Sequence, residues 1–514
     1  MKKNIKWLFL VALTFMACNS DDDNKTPEEV PVTPGSAVFT KYVALGDSFA
    51  AGYSDNALFK KGQENGYPNI LAQQFVAAGG GAFAIPYMND NKGGLLLGGN
   101  VIAGTRLYFT AQRTAVPVPG PPTTEVTTHL TGPFNNLGVP GAKSFHLVAA
   151  GYGNVAGVAT GAANPYFARF SSSPSTTVLA DALVQAPTFF SLFIGGNDVL
   201  SYALSGGTGK DQTGNMNPAT YGGNDITDPT VFASVYSSLL TALTANGAKG
   251  VVANLPYITT LPHFTTVPYN PLTPQLLGSN LAVLNAQLYG PLKQVLTNFN
   301  AGDRINLLST TSANPLLIKD ESLPNLAAQI TAALTPSLGA QTAAFYGAVF
   351  GQARQAKSTD LILLTTQSAI GAAPTAADSG LGIAPPAPLN VFGISYPLQD
   401  KHVIIPTEAA EIRKATDAYN VTIKSLAEEK GIAFVDTRAT MTQLSSGGVK
   451  FGNFTMTSSF AVGGAFSLDG VHPSPRGYAL IANIFIDAIN AKYGSTLRHA
   501  DLATYQIQYP ATLP

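Results

Sequence analysis

Cysteine and charged residues are scarce in this chain of 514 residues. Cys18 is the only cysteine, so no disulfide can form within the chain. Charged residues make up 11% of the sequence and the formal net charge is -1, which excludes the broad basic surface that nucleic-acid binding needs. The six histidines are scattered without the paired spacing of metal ligands. The sequence therefore predicts no metal, no other cofactor and no nucleic-acid partner.

The N-terminus has the features of an export signal. Lys2 and Lys3 are followed by an apolar stretch, residues 5–17, that is too short for a permanent membrane-spanning helix. The segment 13–18, which ends in Ala17 and Cys18, resembles a bacterial lipoprotein signal with Phe15 in place of the usual aliphatic residue. That resemblance implies a signal peptide over 1–17, cleavage before Cys18 and lipidation of its thiol. The alternative is a plain secreted protein whose cysteine happens to lie there.

Residues 18–38 are acidic and rich in proline, a composition that cannot bury a core. We expect them to form a solvated tether between a lipid-anchored Cys18 and the folded domain. The acidic run 21–23 also resembles the surface-export signal of lipoproteins from the Bacteroidetes group. The expected location is the outer membrane, exposed on the cell surface, with membrane contact through the N-terminal lipid anchor only.

Beyond the tether, short apolar runs alternate with amphipathic stretches. The pattern indicates five strands, among them 43–45, 189–194, 250–256 and 432–435, and helices over about 67–78, 232–243, 406–429 and 477–490. Alternation of this kind predicts an α/β fold, a parallel sheet with helices on both faces. The core spans 39–492, and 493–514 is a C-terminal tail.

Two segments exceed ordinary connections between core elements. Residues 79–130 are glycine-rich and carry one strand-like run at 106–110, and we expect an insertion that shapes the binding edge. Residues 257–405 contain helix-like stretches at 276–299 and 326–349 and predict an inserted lobe or cap.

Ser48 is the candidate nucleophile. The apolar strand 43–45 stops at Gly46, and Asp47 and Ser48 follow in the turn. Ligands and reacting groups collect at the carboxyl ends of strands in open α/β sheets. The alternative is that Ser48 only caps the next helix.

Three later stretches favour catalysis. Gly141 lies in the glycine-rich turn 135–142, whose backbone N–H groups can bind an oxyanion. Asn197 follows the apolar strand 189–194, whereas a second Gly-Gly-Asn-Asp at 222–225 has no strand before it and is expected to be a loop. His472 can take the serine proton if Asp469, three residues earlier, accepts from its other ring nitrogen. Taken alone, the Gly141 stretch is better explained as a turn and His472 before a proline as a helix-start residue.

The four blocks in this order resemble the SGNH hydrolases, also called GDSL esterases and lipases. The resemblance implies a flavodoxin-like three-layer α/β/α sandwich with a five-stranded parallel sheet, here with large insertions. It implies a Ser48, His472 and Asp469 triad and an oxyanion hole formed by Ser48, Gly141 and Asn197. Phe49 stands where the family name has leucine, and no Gly-x-Ser-x-Gly elbow occurs.

The expected function is a serine ester hydrolase, like a carboxylesterase or lipase, that works through an acyl-enzyme on Ser48. Its substrate would be a small-molecule, glycan or lipid ester, and no obligate protein partner is evident. The alternatives are a polysaccharide O-acetylesterase or an acyltransferase at the same site, or a non-catalytic glycan-binding surface lipoprotein.

Overall fold

The computed structural model describes residues 31–451 and 454–514. The predicted signal peptide (1–17), Cys18 and the first part of the predicted tether lie outside the described residues. Export and lipidation therefore stay predictions.

The centre of the fold is a five-stranded parallel sheet. Its strands are β1 (Tyr42–Gly46), β2 (Asn136–Gly138), β3 (Phe189–Phe193), β4 (Lys249–Ala253) and β5 (Ala433–Val435). Their order across the sheet is β5-β4-β3-β1-β2. Every residue of β1 and β3 is buried, which requires cover on both faces and explains why these strands read as continuous apolar runs. The predicted α/β fold with a five-stranded parallel sheet is confirmed.

Helices pack on the sheet in two groups. The principal helices are α1 (Ser48–Ala51), α2 (Tyr67–Val76), α3 (Asn197–Leu204), α4 (Pro229–Thr244), α5 (Pro406–Lys430), α6 (Thr437–Ser446) and α7 (Pro475–Tyr493). Helices α2 and α7 contact each other, and the aromatic rings of α7 meet Phe189 and Phe193 on one face of β3. Helices α4 and α5 form the other pair, joined by the stacked rings of Phe232 and Tyr419 at 4.2 Å. In the described part of the chain, no helix is long and apolar enough to cross a bilayer.

Three local predictions need correction. The stretch 135–142 is not only a turn, because its first residues form strand β2. The helix-like stretches 276–299 and 326–349 are interrupted, the second at Gly339, whose φ of +77° stops one helix before the next begins. The remaining α-helices are Lys60–Glu64, Val178–Leu183, Pro262–Thr265, Pro274–Leu277, Asn280–Leu284, Gly290–Thr297, Ala327–Leu338 and Ala340–Phe350.

The two inserted segments bury their apolar residues in different ways. A second hydrophobic cluster, separate from the core around the sheet, is drawn wholly from residues 267–405. Segment 79–130 contains two antiparallel hairpins, Leu95–Leu97 with Asn100–Ala103 and Leu107–Phe109 with Ala115–Pro117. A small cluster that includes Leu95 and Tyr166 packs the first hairpin near α1.

The ends of the described chain lie against the core. Ser36 donates its backbone N–H to the carbonyl oxygen of Tyr493 at 2.8 Å, and Ala37 is buried. In the C-terminal segment Leu502 and Tyr509 are buried, and Arg106 donates to the carbonyl oxygens of Pro510 and Ala511 at 2.7 and 3.0 Å. Residues 493–514 therefore cover part of the folded core.

Candidate active site

The sheet register brings three predicted site segments to one edge. Gly46 of β1 pairs with Gly138 of β2 and with Phe193 of β3. Ser48, Gly141 and Asn197 follow these paired residues by two to four positions. Because the strands are parallel, all three segments emerge from the same carboxyl edge.

Ser48 is the first residue of α1, and it is buried with 5% of its surface exposed. Asp47 caps the helix by accepting the N–H of Phe49 at 3.0 Å. Two glycines allow the backbones around this turn to approach closely. A Cβ on Gly46 would lie 2.4 Å from the carbonyl oxygen of Phe193, and a Cβ on Gly138, in the adjacent strand, would lie 2.3 Å from the nitrogen of Ala51. The close approach of these backbones positions the serine.

Ser48, His472 and Asp469 form a continuous hydrogen-bonded chain. Nε2 of His472 lies 2.8 Å from Oγ of Ser48, and Nδ1 of His472 lies 2.9 Å from Oδ2 of Asp469. The His472 and Asp469 side chains are only 12% and 10% exposed. This geometry is that of a nucleophile, a general base and an orienting acid.

The carboxylate of Asp469 is held by its own turn, residues 467–472, called the acid turn below. Its Oδ1 accepts the N–H groups of Val471 and His472 at 2.8 Å each and the hydroxyl of Ser467 at 3.1 Å, while Oδ2 accepts the N–H of Asn56 at 2.9 Å. Burial by itself raises the pKa of Asp469, but His472 and these donors outweigh it and hold the pKa well below its ordinary value. The acid is therefore a carboxylate at neutral pH and can stabilise a protonated His472.

The comparisons with known proteins do not assign this arrangement to a family. No family model matches the chain, and neither the curated proteins nor the solved structures include a match. What the site can do chemically follows from its own geometry.

Three groups at the carboxyl edge of the sheet could donate to an oxyanion: the backbone N–H groups of Ser48 and Gly141 and the side-chain amide of Asn197. Gly141 is exposed and has a φ of +81°. Neither its N–H nor the N–H of Ser48 has an acceptor among the described residues. The Asn197 amide donates one hydrogen to the carbonyl oxygen of Ala142 at 3.0 Å, which ties it to the Gly141 turn and leaves its second hydrogen available. The arrangement can receive a negatively charged oxygen.

Asp198 joins the Asn197 segment to the turn that contains Gly141. Its buried carboxylate accepts the N–H and the hydroxyl of Ser144, both at 2.8 Å, so the start of α3 is joined to the Gly141 turn. Burial raises the pKa of Asp198, although the hydrogen bonds from Ser144 and the charge of Lys143 lower it in part. Lys143 is itself buried and donates to the carbonyl oxygen of Asp225 at 2.6 Å. The second Gly-Gly-Asn-Asp stretch, residues 222–225, is a loop, as predicted. Through the bond from Lys143 to Asp225 it contacts the segment that follows Gly141.

Two cavities border the site. An apolar pocket of about 90 Å³ lies between α3, α6 and α7. Its walls include Asp47, Phe49, Val471 and Pro473, which are sequence neighbours of the triad residues, but not Ser48, Asp469 or His472 themselves. An open groove of about 1090 Å³ lies on the β2 side and reaches Gly141, with Phe145 and Tyr221 among its walls.

Sequence analysis missed three residues that hold the acid turn. His263 lies under the turn, Asn56 donates to Asp469, and Ser467 accepts the N–H of Asp55 at 3.0 Å while donating to Asp469. The contacts of Asn56 and Ser467 depend on an unusual backbone at Asp55 (φ +49°) and Asn56 (φ +64°), and a sequence does not show such a conformation. Among residues 31–451 and 454–514 no three His, Cys, Asp or Glu side chains are grouped as metal ligands.

Proposed function

We propose that this chain is a serine ester hydrolase of the SGNH type, in which carboxylic esters acylate Ser48. The observation that carries the proposal is the unbroken hydrogen-bonded chain from Ser48 through His472 to Asp469, at 2.8 and 2.9 Å. The parallel sheet and the order of the four blocks along the chain agree with the fold of that family. Family membership is part of the proposal.

In the first step Oγ of Ser48 attacks the ester carbonyl carbon while its proton passes to Nε2 of His472. The imidazolium that forms is stabilised by the Asp469 carboxylate at Nδ1. When the tetrahedral intermediate collapses, His472 returns the proton to the leaving alkoxide. The alcohol departs and the acyl group remains on Ser48.

The negative charge of the intermediate develops on the former carbonyl oxygen. The N–H groups of Ser48 and Gly141 and the second amide hydrogen of Asn197 are the donors available to it. Because Asn197 is held by Ala142 and the start of its helix by Asp198, these donors need little reorganisation during the reaction.

In the second step a water molecule gives its proton to His472 and attacks the acyl carbon. Collapse of the second intermediate returns the proton to Ser48 and releases the carboxylic acid. An alcohol in place of water would make the enzyme an acyltransferase, so product analysis with an added alcohol belongs to the test.

The test is hydrolysis of p-nitrophenyl esters by the purified protein beside its Ser48→Ala variant, with labelling by a fluorophosphonate as a second readout. We expect turnover and labelling in the parent and neither in the variant. Turnover that survives in Ser48→Ala would refute the serine mechanism. If neither protein hydrolyses the esters and neither is labelled by the fluorophosphonate, a non-catalytic glycan-binding module would be favoured.

Anchoring to the outer membrane through Cys18 is a separate proposal, supported by the sequence alone. Labelled palmitate should be incorporated by cells that express the protein and not by cells that express Cys18→Ser. Protease treatment of intact cells then tests surface exposure, since an untouched protein would place the domain on the inner side.

A further inference from the structure

The loop that follows Gly52, residues 53–56, contacts the acid turn and the proline after it through every one of its residues. Three of the contacts are hydrogen bonds: the Ser54 hydroxyl to the carbonyl oxygen of Pro473 at 3.0 Å, the Asp55 N–H to the hydroxyl oxygen of Ser467 at 3.0 Å, and the Asn56 N–H to Asp469 at 2.9 Å. The fourth contact is aromatic, because the ring of Tyr53 lies against the imidazole of His472. The loop after the nucleophile's helix is thus joined to both the acid and the base.

Tyr53 packs closely against the base. The centroids of the Tyr53 and His472 rings are 4.6 Å apart, and the ring planes make an angle of 45°. The Tyr53 hydroxyl donates to the carbonyl oxygen of Asn56 at 2.7 Å, and the main-chain carbonyl oxygen of Tyr53 accepts the hydroxyl of Tyr478 at 2.6 Å. The apolar cluster that includes Tyr166 packs against the same side chain. These contacts hold the ring beside the imidazole.

Two carboxyl groups and a second ring also lie near the imidazole. Asp469 accepts from Nδ1 and is a carboxylate at neutral pH. Asp47 is buried, and burial raises its pKa to about 7, although the N–H of Phe49 and the charge of a protonated His472 lower it in part. The Phe49 ring lies 5.5 Å from the imidazole at an angle of 43°. A positive charge on His472 therefore meets a carboxylate at one nitrogen and two aromatic rings beside it.

An aromatic ring attracts a cation more strongly than it attracts the same group in its neutral form. The face of the ring carries negative charge, and a cation within about 6 Å of the centroid is stabilised, most strongly where water is excluded. Tyr53 meets this distance, and the His472 side chain is only 12% exposed. The contact therefore gains strength when the imidazole becomes protonated.

We propose that Tyr53 is a positioning residue whose ring stabilises the imidazolium of His472, an assignment that rests on the proposed function. His472 gains its positive charge only when the proton of Ser48 moves to Nε2. An interaction that strengthens as this charge forms lowers the barrier to the reaction, because it favours the transition state over the resting enzyme. The bond from the Tyr53 hydroxyl to Asn56 orients the ring for this role.

The test removes the ring and the hydroxyl separately. Tyr53→Phe keeps the ring and loses the bond to Asn56, whereas Tyr53→Leu loses both. We expect Tyr53→Leu to lower kcat/KM for a p-nitrophenyl ester by about two- to thirtyfold and to move the acid limb of its pH profile down by about half a unit to one and a half units. Tyr53→Phe should keep the acid limb of the parent. An unmoved limb in Tyr53→Leu, or an equal shift in Tyr53→Phe, would overturn the proposal.

Two further variants serve as controls, and thermal unfolding checks that each variant is folded. Tyr152→Leu removes a ring that is stacked 4.3 Å from His146, a histidine outside the triad, and should leave the acid limb in place. A limb that moves as far in this control as in Tyr53→Leu would contradict a specific role. Phe49→Leu removes the more distant ring and should move the limb in the same direction by a smaller amount. Asp47 is present in every protein compared, so its titration is common to all of the profiles.

The role of Tyr53 and the proposed function fail in different ways. NMR of the histidine-labelled protein, with His472→Ala to assign the signal, follows protonation of His472 without turnover. If the parent hydrolyses esters but neither the acid limb nor the His472 signal moves in Tyr53→Leu, only the role of Tyr53 is contradicted. If the parent neither hydrolyses esters nor is labelled by a fluorophosphonate, the proposed function is contradicted, and a His472 signal that protonates at lower pH in Tyr53→Leu would still support the contact between the two rings.

Discussion

Nδ1 of His263 lies 2.9 Å from the main-chain carbonyl oxygen of Asp469, and the main-chain N–H of His263 donates to the carbonyl oxygen of Gly470 at 2.9 Å. His263 is buried, and burial lowers the pKa of its imidazole, so the ring is neutral and carries its proton on Nδ1. Nε2 has no hydrogen-bond partner within the described residues. The first helix of segment 257–405 is thus attached to the acid turn.

Loss of the His263 side-chain hydrogen bond should loosen the acid turn. A neutral hydrogen bond contributes about 0.5–1.5 kcal/mol, so His263→Leu should lower kcat by about two- to tenfold with little change in KM. His263→Asn, whose amide nitrogen can occupy the place of Nδ1, should recover most of the rate. Steady-state kinetics of folded protein, checked by thermal unfolding, makes the comparison. Equal losses in both variants would show that His263 acts only through packing.

Asn197 should contribute to turnover through the oxyanion. Removal of one such donor costs about a hundred- to a thousandfold in kcat, so Asn197→Ala should show that loss with a small change in KM. The chain provides its own control in Asn224, which stands in the same Gly-Gly-Asn-Asp sequence but on an exposed loop. Asn224→Ala should retain the parent rate, and a similar loss in both variants would refute the role of Asn197.

Asp55 should make stability depend on pH. Burial raises its pKa to about 7, its Oδ1 accepts the N–H of Leu468, and its Oδ2 has no partner among the described residues. An unfolded aspartate has a pKa of about 3.9, so the folded state binds more protons between pH 4 and 7 and its stability falls as the pH rises through that interval. Each pKa unit corresponds to about 1.4 kcal/mol.

The measurement is urea unfolding of the parent and Asp55→Asn at several pH values from 4 to 8. The variant cannot ionise, so its free energy of unfolding should fall less steeply over this range, by a total of a few kcal/mol. The other titrating groups are common to both proteins and cancel in the difference. Parallel pH profiles would contradict the raised pKa.

Arg354 should stabilise segment 257–405. Its buried guanidinium donates to Asp320 at 2.5 Å and to Asp360 at 2.6 and 2.7 Å. Arg354→Ala leaves two buried carboxylates without their partner and should cost about 3–5 kcal/mol in the free energy of unfolding. Lys401→Ala breaks an exposed pair with Asp378 in the same segment and should change the free energy of unfolding far less. Equal effects in urea unfolding would show that burial of the pair does not matter.

Strands β1 and β3 were predictable because each is buried on both faces. The run 43–45 is apolar at every position, the run 189–194 is apolar except at Ser191, and a glycine follows each. The helix at Pro406 was also predicted, but its N-terminal cap was not. The residue before its first turn is Ile405, whose N–H is accepted by the Glu408 side chain at 2.8 Å. Capping by a glutamate side chain that reaches back to the residue before the helix depends on a side-chain rotamer, which the sequence does not reveal.

The sequence by itself determined the chemistry that is available: a serine, a glycine, an asparagine and an Asp-x-x-His, each in a turn that apolar runs and glycines mark. Only the tertiary structure decided that Ser48 meets His472 across 424 positions of sequence and that His263 lies under Asp469. It also decided that an apolar pocket forms between α3, α6 and α7. The physical reason is that turns and strands follow from local sterics and periodicity, whereas cavities and long-range hydrogen bonds depend on how distant segments pack.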